Sequence, residues 1–62
     1  MHPFEFRIFN TDGTIALVVN LRHTSNYVAM RAGHLLAEGK PYEVWRAEQC
    51  IYGLDDRKPL ND

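Results

Sequence analysis

Sixty-two residues carrying seven basic and eight acidic side chains, a net charge of −1 and one cysteine describe a small, nearly neutral chain. That balance leaves no electrostatic footprint for nucleic acid or for an anionic membrane, and no apolar run of about 18 residues is present to span a bilayer. A single cysteine, Cys50, excludes an internal disulfide.

A domain this short buries only roughly 60 % of the surface its unfolded chain exposes. Small scaffolds are therefore commonly reinforced by a disulfide, a metal or a partner subunit. His2, His23 and His34 are scattered and lack a second cysteine, so no metal site is expected. Oligomerisation is the remaining route, and a homodimer is the expected partner state. The opening MHPFEFRIF alternates charge with aromatics and lacks a signal-peptide apolar core. With one cysteine, that points to the cytoplasm.

Residues 4–9, FEFRIF, have period two and predict a strand. Phe4, Phe6 and Ile8 share one face; Glu5, Arg7 and Phe9 share the other. Asp12-Gly13 then marks a tight hairpin turn of type I′, whose two central residues need positive φ. With that turn, Ile8 opposes Leu17, Phe6 opposes Val19 and Phe4 opposes Leu21. On the other face Phe9 opposes Ala16, Arg7 opposes Val18 and Glu5 opposes Asn20. A one-residue slip would destroy this segregation of apolar and mixed faces.

The second strand covers residues 14–22. Thr24 or Ser25 then caps a helix over 25–38, the one stretch with helical period. Its apolar side is predicted as Val28, Ala29, Ala32, Leu35 and Leu36, with Gly33 flanking it. Asn26, Arg31, His34 and Glu38 face water. Gly39 stands at the αL C-cap position and Pro41 beyond it. Residues 41–46 and 49–54 form a second hairpin around Ala47-Glu48. In that register Trp45 opposes Cys50, Val44 opposes Ile51 and Glu43 opposes Tyr52. The charged segment 55–62 reads as a disordered tail, leaving one domain over 1–54.

The order ββαββ with a right-handed crossover predicts an α+β fold. Four antiparallel strands lie in the order 2-1-3-4, with one helix over Phe4, Phe6, Ile8, Leu17, Val19, Leu21, Val44 and Ile51.

Asp12-Gly13, Ala29, Ala32, Leu35-Leu36, Gly39, Tyr42-Glu43-Val44-Trp45 and Ile51 form a pattern of D-G hairpin, Ala-rich helix and G-x-x-hydrophobic-E-V-W strand. In this the chain resembles small ββαββ proteins common among the alphaproteobacteria, over roughly residues 4 to 54. It departs at Ser25-Asn26, where an acidic pair is expected, at Lys40, where histidine is frequent, and at Ala47 in place of glycine. The resemblance implies a fold and no activity.

No paired carboxylates, Ser/His/Asp set or phosphate loop occurs, so no catalytic residue, cofactor or enzymatic activity is predicted. Cys50 lies mid-strand without a sequence-evident base and reads as a packing residue. The predicted binding surface is the sheet face away from the helix, with Trp45, Tyr52, Arg7, Phe9 and Val18. An apolar, aromatic patch on an open sheet marks an interaction surface, and Trp, Tyr and Arg are enriched at binding hot spots. The leading expectation is a non-enzymatic module that self-associates through this face, with an edge-to-edge dimer through strand two or four as a variant. The alternative is a small-molecule or single-stranded nucleic-acid binder using the same face.

Overall fold

The computed structural model describes residues 1–53. The expectation of a disordered tail over 55–62 lies outside the described residues. In chain order the elements are β1 (His2–Phe9), β2 (Ile15–His23), α1 (Asn26–Ala37), β3 (Tyr42–Arg46) and β4 (Gln49–Gly53). The strands form one antiparallel sheet in the order β2-β1-β3-β4, with α1 packed on one face. This is the α+β arrangement that the alternation and crossover handedness predict.

The β1–β2 register follows the expected pairing from Phe4↔Leu21 to Ile8↔Leu17. It departs at the turn. Among these loop residues only Gly13 has positive φ, at 93°. Gly13 N–H donates to Asn10 O at 3.0 Å, and Asn10 N–H donates to Thr14 O at 2.7 Å. The loop is thus three residues ending in a left-handed glycine, rather than a two-residue type I′ turn. Asp12 Oδ1 drives this choice by accepting from Thr14 N–H at 2.9 Å and from the Thr14 hydroxyl at 2.6 Å. The same bonds hold the Asp12 carboxyl below its ordinary pKa. The altered loop shifts the register, and a bulge between Ile8 and Phe9 absorbs the shift, so Phe9 faces Ile15 instead of Ala16.

A second bulge corrects the β3–β4 register. Trp45↔Cys50 holds as expected, but beyond it Val44 faces Tyr52 and Glu43 faces Gly53. The Ala47-Glu48 turn has positive φ at Ala47 alone (56°), the sign pattern of a type II′ turn, which asks for glycine first. Ala47→Gly should raise stability by about 0.5 kcal/mol, the relief of left-handed strain less the added unfolded-chain entropy. A shift of the urea midpoint at unchanged m-value would measure it.

Ser25 caps α1, its hydroxyl accepting from Val28 N–H at 3.2 Å. The helix ends on Glu38 in αL (φ 54°, ψ 45°), one residue before Gly39, which is also left-handed (φ 91°). The buried stripe of α1 is Ala29, Gly33 and Ala37. This corrects part of the predicted side: Ala29 is buried and Ala32 packs against the core, but Leu35 is 71 % exposed and Val28 and Leu36 are part-exposed. The small stripe lets the axis settle onto β3, where the rings and branched side chains of the sheet already fill the space.

Phe4, Phe6 and Ile8 of β1, Tyr42 and Val44 of β3, and Ala29 and Ala37 of α1 make the core. Val19, Ala32, Ile51 and Tyr52 pack against it. Leu17 (47 % exposed) and Leu21 (39 %) share the helix side of the sheet but are not covered, contrary to expectation. The helix packs chiefly on β3, and on this side of β2 Val19 packs against the core while Leu17 and Leu21 stay part-exposed.

Candidate functional site

Three surfaces could carry a function: the sheet face away from α1, the groove beside α1, and the β2 flank.

On the first, strand alternation places Glu5 and Arg7 of β1 beside Glu43 and Trp45 of β3. Arg7 sits between Val18 and Glu43, and Glu5 sits between Asn20 and Trp45. These side chains close on one another. Arg7 Nε donates to the Glu5 carboxylate. The Arg7 guanidinium lies over the Trp45 ring, 4.5 Å from its centroid. Trp45 Nε1 donates to Glu43 Oε1 at 2.9 Å. The ion pair contributes about 0–1 kcal/mol and the cation–π contact about 0.5–1 kcal/mol. Their larger effect is geometric, because one face of the indole is covered and its N–H is already bonded. Two carboxylates beside one guanidinium also repel a phosphate backbone.

The residues predicted for this face therefore divide. Arg7 and Trp45 are half-buried and mutually engaged. Phe9 alternates onto the same side at the bulge, with its N–H bonded to Pro41 O at 2.8 Å. Val18 is exposed, on the edge strand. Tyr52 is the correction: the β4 bulge turns it to the helix side, where it stacks on Tyr42 (centroids 4.9 Å, interplanar angle 25°). Cys50, opposite Trp45, donates through Sγ to Tyr52 O at 3.4 Å. Arg46 likewise belongs to the helix side. It donates to Asn26 Oδ1 at 3.0 Å and lies over Phe4, tying β3 to the start of α1. Simple alternation from Trp45 would have found it.

The second surface is a groove of about 340 Å³ lined by Tyr27, Met30, Arg31, His34, Leu35, Tyr42 and Tyr52. Burial, and then the neighbouring Tyr52, push the Tyr42 phenol up from 10.0 to about 12. A folded-state pKa above the unfolded value means the native state holds that proton more tightly. The associated stability is whole below pH 10.0 and is lost as pH rises toward about 12. Urea midpoints measured between pH 9 and pH 12 should fall with pH in the wild type, and more shallowly in Tyr42→Phe.

His23 lies against Phe4 and Phe6 (centroids 6.1 and 5.6 Å), with its Nε2 buried and without a hydrogen-bond partner among the described residues. The Arg46 charge holds the neighbouring His2 below its ordinary pKa. Among the described residues no group of three His, Cys, Asp or Glu side chains converges.

The third surface is the edge of strand two, which the sequence offers only as a variant interface. β2 is nine residues long, lies at the sheet edge and reads IALVVNLRH. Ile15, Leu17, Val18 and Leu21 are all exposed. Val28, Ala32 and Leu36 recur at helical spacing on the side of α1 away from the tyrosine groove, and so toward β2. A long apolar edge with one charge, Arg22, has little of the lysine or proline that natural edges use against pairing. The signal was the predicted strand order, which already put this apolar strand outermost.

No helix among the described residues is long and apolar enough to cross a membrane. No family model, curated protein or solved structure matches the chain.

Proposed function

We propose that this chain is a non-enzymatic interaction module of the cytoplasm that joins copies of itself, and that it does so through the β2 flank rather than through the face around Trp45. The observation that supports this is the pair of exposed leucines, Leu17 and Leu21, on the helix side of an edge strand whose other face exposes Val18, with Val28 and Leu36 part-exposed on α1. An uncovered edge also leaves backbone N–H and C=O groups that another strand can satisfy. The face around Trp45 offers less, because Arg7, Glu5 and Glu43 already occupy its polar and aromatic groups.

Sedimentation at about 100 µM, a concentration at which micromolar dimers are populated, tests the reading. The wild type should have the mass of a dimer. Leu17→Lys/Leu21→Lys should be monomeric, while Trp45→Ser should keep the dimer mass. A monomeric wild type would sink the proposal, and loss of the dimer in Trp45→Ser alone would move the interface to the open face.

A second reading takes the tyrosine groove as a small-molecule site, supported by its volume and by the Tyr42–Tyr52 stack on which a flat ring could rest. Chemical-shift changes confined to Tyr27, His34 and Tyr52 on adding aromatic metabolites would favour it. Trp45 lies on the opposite face and should report nothing.

A further inference from the structure

The groove beside α1 joins flat rings to unanswered positive charge. From that juxtaposition we infer its ligand class: a planar aromatic ring bearing one carboxylate, with the ring against Tyr52 and Tyr42 and the carboxylate on Arg31. The inference rests on the small-molecule reading of the groove given above and names its chemistry; it does not depend on self-association. Helical spacing builds one wall. Tyr27, Arg31, His34 and Leu35 fall at intervals of three and four, so one side of α1 presents them together. The Tyr42–Tyr52 stack builds the other wall, with Tyr42 buried and Tyr52 half-buried. The His34 ring meets the Tyr42 ring edge-on at 6.2 Å, which joins the two walls.

Charge sets the sign of the ligand. Among the described residues no Asp or Glu lines the groove, and α1 contains none between Asn26 and Ala37. Arg31 makes no ion pair or hydrogen bond with another described residue. The next acid along the chain, Glu38, sits past the helix end in αL. Arg7 and Arg46, by contrast, are closed onto Glu5, Trp45, Asn26 and Phe4. A guanidinium with no protein partner favours an anion, and its planar fork matches a carboxylate with two parallel hydrogen bonds. His34, on the same side of α1, adds a ring N–H donor. Shape sets the rest. The stacked tyrosines offer a flat apolar surface, which an aromatic ring covers better than a saturated one. The volume of about 340 Å³ lies at the low end for small-molecule sites and suits one ring system with its acid group.

Indole-3-acetate is the probe, titrated into the full chain at neutral pH and read by chemical shifts. It should move Tyr27, Arg31, His34 and Tyr52 with a Kd of about 1 mM or below, the scale for a ligand of about 13 heavy atoms at ordinary efficiency. Two analogues separate the two features. Indole-3-acetamide keeps the ring and loses the charge, while cyclohexylacetate keeps the charge and loses the flat ring. Each should bind about fivefold more weakly or worse. Arg31→Gln changes an exposed side chain. It should weaken indole-3-acetate about tenfold and leave indole-3-acetamide unchanged. If either analogue binds as tightly as indole-3-acetate, or Arg31→Gln weakens acid and amide equally, the ligand class is wrong while the groove stands as a small-molecule site. If no compound shifts the groove at about 10 mM, a concentration well above millimolar dissociation constants, both readings fall. In that case a movement of the Asp55 and Asp56 resonances in unliganded Arg31→Gln would show that the chain's own carboxylates answer Arg31.

Discussion

Replacing Phe6 by alanine should leave the chain mostly unfolded at 25 °C. Phe6 is fully buried, flanked by Val19 on β2 and Val44 on β3, with the His23 ring edge-on to it at 5.6 Å. Truncating a buried phenylalanine costs about 3–5 kcal/mol, the transfer term plus the cavity left behind. A 62-residue domain holds only about 3–9 kcal/mol in all, at the usual stability per residue. The core has few other large side chains to close the gap, since Phe4, Phe6 and Val44 are its largest fully buried ones. The backbone supplied by α1 cannot collapse inward, because its small stripe already lies against β3. Loss of the cooperative urea transition, with a far-ultraviolet spectrum lacking the sheet signal, is the expected readout. Phe6→Leu, which keeps most of the volume, should retain a transition at a lower midpoint. A Phe6→Ala variant within about 1 kcal/mol of wild type would contradict this account of the core. Because self-association, where it occurs, stabilises by mass action, all comparisons belong at one protein concentration.

The second large effect is expected at Gly33, where a larger residue should destabilise although it favours the helix. A Cβ there would stand 2.9 Å from Val44 Cγ2 and 3.1 Å from the Tyr42 ring. Neither neighbour can yield cheaply. Val44 is short, branched and fully buried, and Tyr42 is held by its stack on Tyr52. Overpacking of this kind costs about 1–3 kcal/mol, against a gain in helix propensity of about 1 kcal/mol. Gly33→Ala should therefore lose about 1 kcal/mol net, and Gly33→Val, with its branched Cβ, about 3 kcal/mol or more. Val44→Ala removes the offending methyl, so Gly33→Ala and Val44→Ala together should cost less than the sum of the two. That coupling, near 1 kcal/mol for residues in contact, is what separates a steric origin from a general weakening of the helix. A stabilised Gly33→Ala would show that α1 can lift from β3 without loss.

The two predictions touch opposite sides of what the sequence makes legible. Phe6 could be read as core from alternation alone, because a strand with Phe4, Phe6 and Ile8 on one face has one side to bury. Gly33 could be read only as a helical glycine beside an apolar stripe. Choosing between a stripe of leucines and a stripe of small residues needed the volumes presented by Tyr42 and Val44, which come from another part of the chain. The candidate surfaces divide in the same way. Trp45, Arg7 and Val18 could be placed by period two. Tyr52 could not, because one extra residue in β4 reverses every side chain beyond it, and nothing near Ile51 marks a bulge. The exposure of Leu17 and Leu21 depended on where the helix axis settles across the sheet.

By itself, then, the sequence determined the element order, the strand order, the β1–β2 pairing and the identity of most core residues. These follow from short-range periodicity, an Asp-Gly turn and the handedness of one crossover. Only the tertiary structure decided the rotation of α1, the two bulges, the closure of Arg7 and Glu43 around Trp45, and the open apolar flank of β2. Each of these is settled by packing between segments distant in the chain, where a shift of one residue or a few ångströms separates a buried side chain from an exposed one and local patterns carry no preference.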